Sequence, residues 1–123
     1  MKLIICEKPS VGMAIASALG IETKNDGYME SEDFLVSWCI GHLAELSQPS
    51  CYGSEYEKWS LEALPILPKT WQLTISKDKE KQFSVLKALL FRNDVTEVIN
   101  ACDAGREGEL IFRFVMEKAG CKK

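Results

Sequence analysis

Two short acidic motifs, each placed where an apolar run ends, constrain this chain more than any other feature. Leu3-Ile4-Ile5-Cys6 leads directly into Glu7-Lys8-Pro9-Ser10, and Val98-Ile99-Asn100-Ala101-Cys102 into Asp103-Ala104-Gly105-Arg106-Glu107-Gly108-Glu109. A short continuous apolar run is the pattern of a strand buried on both faces, as parallel sheets require. Each run is followed by residues with helical periodicity. Strand, sharp turn and helix at both ends of the chain predict an α/β fold, with an open, mostly parallel, Rossmann-like central sheet flanked by helices. In such sheets ligands bind in the crevice outside the carboxyl ends of the strands. If the two strands are neighbours, Glu7, Asp103 and Glu107 converge there. Three carboxylates in one crevice repel unless a cation or a shared proton relieves them. That combination points to magnesium, and magnesium beside acids to phosphate chemistry.

The pass between the motifs fills in the fold. Pro9 suits the first turn of a helix, Val11, Ala14, Ile15, Ala18 and Leu19 follow at helical spacing, and Gly20 is a natural stop. Residues 27–31 and 33–40 read as two strands around a Ser31-Glu32-Asp33 turn. Residues 45–72 are broken by Pro49, Gly53, Pro65 and Pro68. Trp59, Leu61, Leu64, Ile66, Leu67 and Trp71 make the stretch too apolar for a disordered linker, so it is expected to be an ordered excursion packed on the domain. Such long loops are often functional. Residues 72–76 read as a strand, 78–92 as a helix with Phe83, Leu86, Leu89 and Leu90 inward, 96–102 as a buried strand and 106–119 as the last helix. On that helix Glu107, Leu110, Ile111 and Phe114 share one stripe, which makes Glu107 the polar head of the face toward the sheet. Glu109 lies on the other side, four residues before a possible partner, Arg113.

Composition removes several classes. The chain has 123 residues, the size of one domain, and no apolar run long enough to span a bilayer. The apolar start is too short for a secretory signal, so the expectation is a cytoplasmic protein without a membrane partner. Five cysteines, none in a C-x-x-C pair, and a single histidine argue against zinc and against a disulfide framework. Cys6, Cys39 and Cys102 sit in apolar runs and read as small core residues. A net charge of −3 does not suit a stand-alone nucleic-acid binder. If the domain touches DNA, a metal offsets its acids or a longer protein supplies the positive field.

The residues just read resemble the TOPRIM domain, and more closely the N-terminal domain of type IA DNA topoisomerases of the topoisomerase III kind. Glu7-Lys8-Pro9-Ser10 after an apolar strand is similar to that family's opening motif. Asp103-Ala104-Gly105-Arg106-Glu107-Gly108 resembles its acidic motif, D-x-D-x-E-G. Trp38-Cys39-Ile40-Gly41-His42-Leu43 resembles a third segment, and Tyr56, Trp59 and Leu64-Pro65-Ile66-Leu67-Pro68 a fourth. Four segments in order are far more specific than a lone D-x-D-like match. The second Asp of the motif is Gly105 here, which removes one oxygen ligand. Family members are several times longer, so the resemblance implies an N-terminal fragment of a longer topoisomerase, residues 1–123 forming its TOPRIM domain.

By that resemblance Glu7 is the general acid/base beside the scissile phosphate, and Lys8 is a point charge on phosphate. Asp103 and Glu107, with Glu7, hold Mg2+. Lys8, Arg106 and His42 contact a single-stranded segment of DNA. The partner is the remainder of the polypeptide, which carries the tyrosine nucleophile; Tyr28, Tyr52 and Tyr56 match no nucleophile motif. Plainer readings stand beside each assignment. Taken alone, Glu7 reads first as a solvated strand end, and Asp103 equally as an N-cap. Gly105 and Gly108 suit an anion at a helix N-terminus. Lys8 reads as a surface lysine and His42 as a turn residue. Trp59 and Trp71 read as packing residues first, with base stacking as the alternative. Two other functions compete: another TOPRIM enzyme, such as a primase or an OLD-type nuclease, and a non-catalytic α/β module that binds a nucleotide or a protein.

Overall fold

The computed structural model describes residues 1–123. Its elements are β1 (Lys2–Cys6), α1 (Pro9–Ala18), β2 (Thr23–Asn25), β3 (Tyr28–Glu30), β4 (Phe34–Trp38), β5 (Ala44–Leu46), β6 (Leu73–Ile75), α2 (Glu80–Leu90), β7 (Glu97–Ala101) and α3 (Arg106–Ala119). Short 3-10 turns occupy Pro49–Tyr52, Ser54–Tyr56 and Lys77–Lys79.

The main sheet has five strands in the order β2-β3-β4-β1-β7. The two apolar runs of the acidic motifs are indeed neighbours. β1 pairs in parallel with β4 on one side and β7 on the other, Cys6 facing Trp38 and Ala101. The chain leaves β1 toward one side of the sheet and later returns on the other. The carboxyl end of β1 is therefore the point where the strand order reverses, and Glu7 follows it directly. β2 and β3 extend the sheet antiparallel beyond β4, so its parallel part is the central trio. The turn into β4 closes where Ser31 N–H donates to the Phe34 carbonyl (2.8 Å) and Phe34 N–H to Ser31 Oγ (3.1 Å).

Alternation along β1 divides the core. Leu3 and Ile5 pack with Leu35, Leu86, Leu90, Ile111 and Val115, under α2 and α3. Ile4 and Cys6 pack with Ala16, Val36 and Trp38, under α1. Helices on both faces keep β1 and β4 dry, which is why their sequences are apolar but for the leading Lys2 and for Ser37, whose hydroxyl donates to the Gly27 carbonyl.

Four expectations change. β7, expected to be buried, is the edge of the sheet and half-buried; no strand lies beyond it to cover Val98 and Ile99. α3 is turned relative to the expected stripe: Gly108, Ile111, Phe112, Val115, Met116 and Ala119 face inward, while Glu107 and Leu110 are exposed. The helix has seven apolar residues to place on one face, and the close approach of Gly108 to the Asp103 backbone selects the phase. Residues 44–46 and 73–75 form a second, two-stranded antiparallel sheet, Ala44 facing Ile75, which clamps the two ends of the excursion together. The excursion does not bury its apolar residues as expected. Trp59 is 86% exposed, Leu61 87% and Leu67 74%. Trp71 is 54% exposed and meets Tyr52 edge-on, with ring centroids 6.1 Å apart. Neither tryptophan is a core residue. No helix is long and apolar enough to cross a membrane.

Candidate functional site

The carboxyl ends of β4, β1 and β7 gather three loops. Backbone hydrogen bonds continue past the strands: Cys39 N–H donates to the Cys6 carbonyl (2.7 Å) and Gly41 N–H to the Glu7 carbonyl (3.2 Å). Gly41 turns there with φ +59°, a left-handed conformation that glycine adopts without strain. Glu7 is thus fixed on its backbone side, and its half-buried side chain reaches across to the second motif. Glu7 Oε2 accepts a hydrogen bond from Asp103 N–H at 3.3 Å, across 96 residues of sequence.

The Asp103 loop is braced from within. Asn100 Oδ1 accepts from Cys102 N–H (3.0 Å), and Asn100 Nδ2 donates to Glu109 Oε2 (2.9 Å). Glu109 Oε1 in turn accepts from Arg113 Nε (2.6 Å), the pairing expected from their spacing. Asn100 was not singled out in the sequence, because an amide within an apolar run carries no catalytic pattern. A Cβ on Gly108 would lie 2.1 Å from the Asp103 carbonyl oxygen. Gly108 is therefore a packing requirement, and α3 starts directly against the Asp103 backbone.

The third carboxylate is elsewhere engaged. Glu107 Oε2 meets His42 Nε2 at 3.0 Å, a half-exposed pair joining α3 to the turn after β4. His42 is thus brought to the site as the partner of an acid, and its own carbonyl accepts from Lys79 Nζ (2.8 Å). Lys8 and Arg106 are exposed, at the starts of α1 and α3, and their side chains make no hydrogen bond or ion pair. Cys39 and Cys102 flank β1 on one face. The thiol of Cys39 is pushed up by its hydrogen bond to Cys102, which lowers that of Cys102, while burial pushes Cys6 up to about 11. All three are packed thiols, though Cys102 is only half-buried.

No three His, Cys, Asp or Glu side chains lie close enough together to hold a metal unaided. The donors at the crevice are nevertheless hard oxygens. Magnesium commonly takes only one or two protein carboxylates, with water and substrate phosphate completing its shell. Glu7 and Asp103, which meet at the strand ends through the Glu7 carboxylate and the Asp103 backbone N–H, have the donor chemistry of that kind of site. Glu107, one turn along, would have to leave His42 to join them.

Residues 2–123 match the Toprim domain family. The chain is 47% identical over 122 residues to a protein named DNA topoisomerase 3 from Shouchella clausii. It is 44% identical over 121 residues to the proteins of that name from Bacillus subtilis and Staphylococcus epidermidis. These alignments take in 98–99% of this chain but only 17% of each relative.

Proposed function

The chain belongs to the Toprim domain family, and from that premise we propose that it forms the acidic, magnesium-binding half of the active site of a longer type IA DNA topoisomerase. The observation that carries this reading is the hydrogen bond between Glu7 and the Asp103 backbone, which joins two distant motifs at one strand-end crevice. The relatives named DNA topoisomerase 3 favour it over a primase, a nuclease or a non-catalytic module.

In this reading a tyrosine from another domain loses its proton to solvent and attacks the phosphodiester as the phenolate, forming a 5′-phosphotyrosyl link and releasing a 3′ hydroxyl. Glu7 gives its proton to the leaving 3′ oxygen and takes it back on rejoining. Its half-buried position beside a backbone donor, on a rigid strand end, holds the carboxyl where that exchange occurs. Lys8 and Arg106, free of other partners, meet phosphate oxygens. Asp103 and Glu107, joined by Glu7 only in its deprotonated state, would hold Mg2+, which when bound would neutralise phosphoryl charge and orient the strand. Gly105 leaves the set one carboxylate short of the D-x-D-x-E pattern, so water would take that place. His42 Nε2 serves Glu107, which leaves Nδ1 for single-stranded DNA. With a net charge of −3, the domain relies on the rest of the polypeptide for positive field. The setting we propose is the cytoplasm.

The test is the magnesium dependence of plasmid relaxation by the full-length protein carrying this domain. Asp103→Ala combined with Glu107→Ala is expected to raise the magnesium requirement sharply. An unchanged magnesium curve would remove both residues from the ligand set.

A further inference from the structure

Lys79 is a lysine in an unusual position. It ends the short turn between β6 and α2, is partly buried, and has no carboxylate within ion-pair distance. The neighbouring Lys81 is exposed and pairs with Asp26, as surface lysines do. Holding a long side chain in one rotamer costs entropy, on the order of 1.5–2 kcal/mol, so a fixed lysine needs a specific acceptor. For Lys79 that acceptor is the His42 carbonyl, at 2.8 Å. A bond from a charged donor is among the stronger kinds.

The acceptor's place gives the bond its meaning. The turn after β4 is pinned on one side where Gly41 N–H meets the Glu7 carbonyl, and on the other where Lys79 holds the His42 carbonyl. Leu43 then enters the core. Between these anchors the His42 ring projects to Glu107 at 3.0 Å. A continuous path therefore runs from Lys79 through His42 to the carboxylate of Glu107. It begins immediately after β6, where the excursion returns to the domain.

We propose that Lys79 is a positioning residue for the site: by fixing the His42 turn it sets where Glu107 stands, and so how readily Glu107 joins the cation-binding carboxylates. This rests on the topoisomerase reading, and it assigns Lys79 no contact with DNA. Residues that orient a ligand from behind typically change metal affinity by about 10–100-fold when removed. Lys79 acts through one further residue, so a shift of about three- to tenfold is expected.

The experiment uses the full-length protein with Lys79→Met and Lys79→Arg, and Lys79→Gln in place of Lys79→Met should that variant fold poorly. Two readouts are taken against magnesium concentration: relaxation of supercoiled plasmid, and the rise in melting temperature without DNA. Lys79→Met loosens the turn that holds Glu107 on His42, so it is expected to move both curves to lower magnesium by about three- to tenfold, with the rate at saturating magnesium kept within about twofold. Lys79→Arg, which keeps a cationic donor, should restore both. In a His42→Ala background, Lys79→Met should add less than about twofold, because the path is already cut. Unshifted magnesium curves in Lys79→Met, or a full shift persisting in the His42→Ala background, would overturn the proposal. Failure of the wild type to relax DNA would instead remove the topoisomerase reading, while the DNA-free melting curves would still decide the role of Lys79.

Discussion

The strand-end crevice and the excursion between β5 and β6 are both irregular backbone, yet they are built in opposite ways. In the crevice each loop leaves a strand of the parallel trio and is tied down within three residues. Gly41 is bonded to Glu7, Asp103 to Glu7, and Cys102 to Asn100. Beneath lie the fully buried Leu3, Ile5 and Leu35. The excursion is held at its ends by the short β5–β6 pairing and by Tyr52, whose hydroxyl accepts from Gln72 N–H at 2.8 Å. Between these ends its large apolar side chains face solvent. The difference teaches that apolar content alone does not place a segment in the core. A sheet surface with uncovered strands has to be within reach, and here α1, α2 and α3 already cover both faces.

Substitutions can break this comparison, and the largest effect is expected under the crevice. Leu35→Ala removes a fully buried side chain between sheet and helices and should cost about 2–5 kcal/mol in urea unfolding. A cost near zero would mean that the parallel trio is not the stabilising core. Gly108→Ala comes next. The added methyl would press on the Asp103 carbonyl, so a loss of about 1–3 kcal/mol is expected, together with a weakened magnesium response as Asp103 shifts. Normal stability and an unmoved magnesium curve would show that the α3 start yields easily.

A smaller gain is expected from Gly105→Asp. Gly105 caps α3 in an extended conformation, φ −175°, with open space around its Cβ position and no side chain to bond the first turn. An aspartate there should add a few tenths of a kcal/mol as an N-cap and lower the magnesium requirement. A raised requirement would show that carboxylate repulsion outweighs the extra oxygen ligand. The smallest effect belongs to the excursion: Trp59→Ala should change the stability of the 123-residue chain by no more than about 0.5 kcal/mol. A loss above about 1 kcal/mol would make the excursion part of the domain's core after all.

The same contrast explains what the sequence made legible. β1, α1, β4 and the extent of α3 follow from apolar runs beside turn residues and from helical spacing bounded by proline and glycine. The meeting of Glu7 and Asp103 follows from the rule that parallel strands share one functional end. The face of α3 was not legible, because Ile111, Phe112, Phe114, Val115 and Met116 allow more than one phase, and a backbone contact at Gly108 decides between them. The pairing of β5 with β6 was hidden because three-residue strands far apart in sequence carry too little periodicity. The His42–Glu107 pair and the hold of Lys79 on His42 were hidden too: each depends on loops that meet only in three dimensions. The half-buried edge position of β7 is not legible, because an apolar run does not reveal whether a further strand lies beside it.

The central claim is that the two acidic motifs form one catalytic site for breaking and rejoining a DNA strand. Its most direct test is magnesium-dependent relaxation of negatively supercoiled plasmid by the full-length protein, with wild type and Glu7→Ala side by side and the fold of both confirmed by thermal melting. Relaxation by the wild type and none by Glu7→Ala is the predicted result. Equal relaxation by both would remove Glu7 from the chemistry, and no relaxation by a folded wild type would contradict the account at its root.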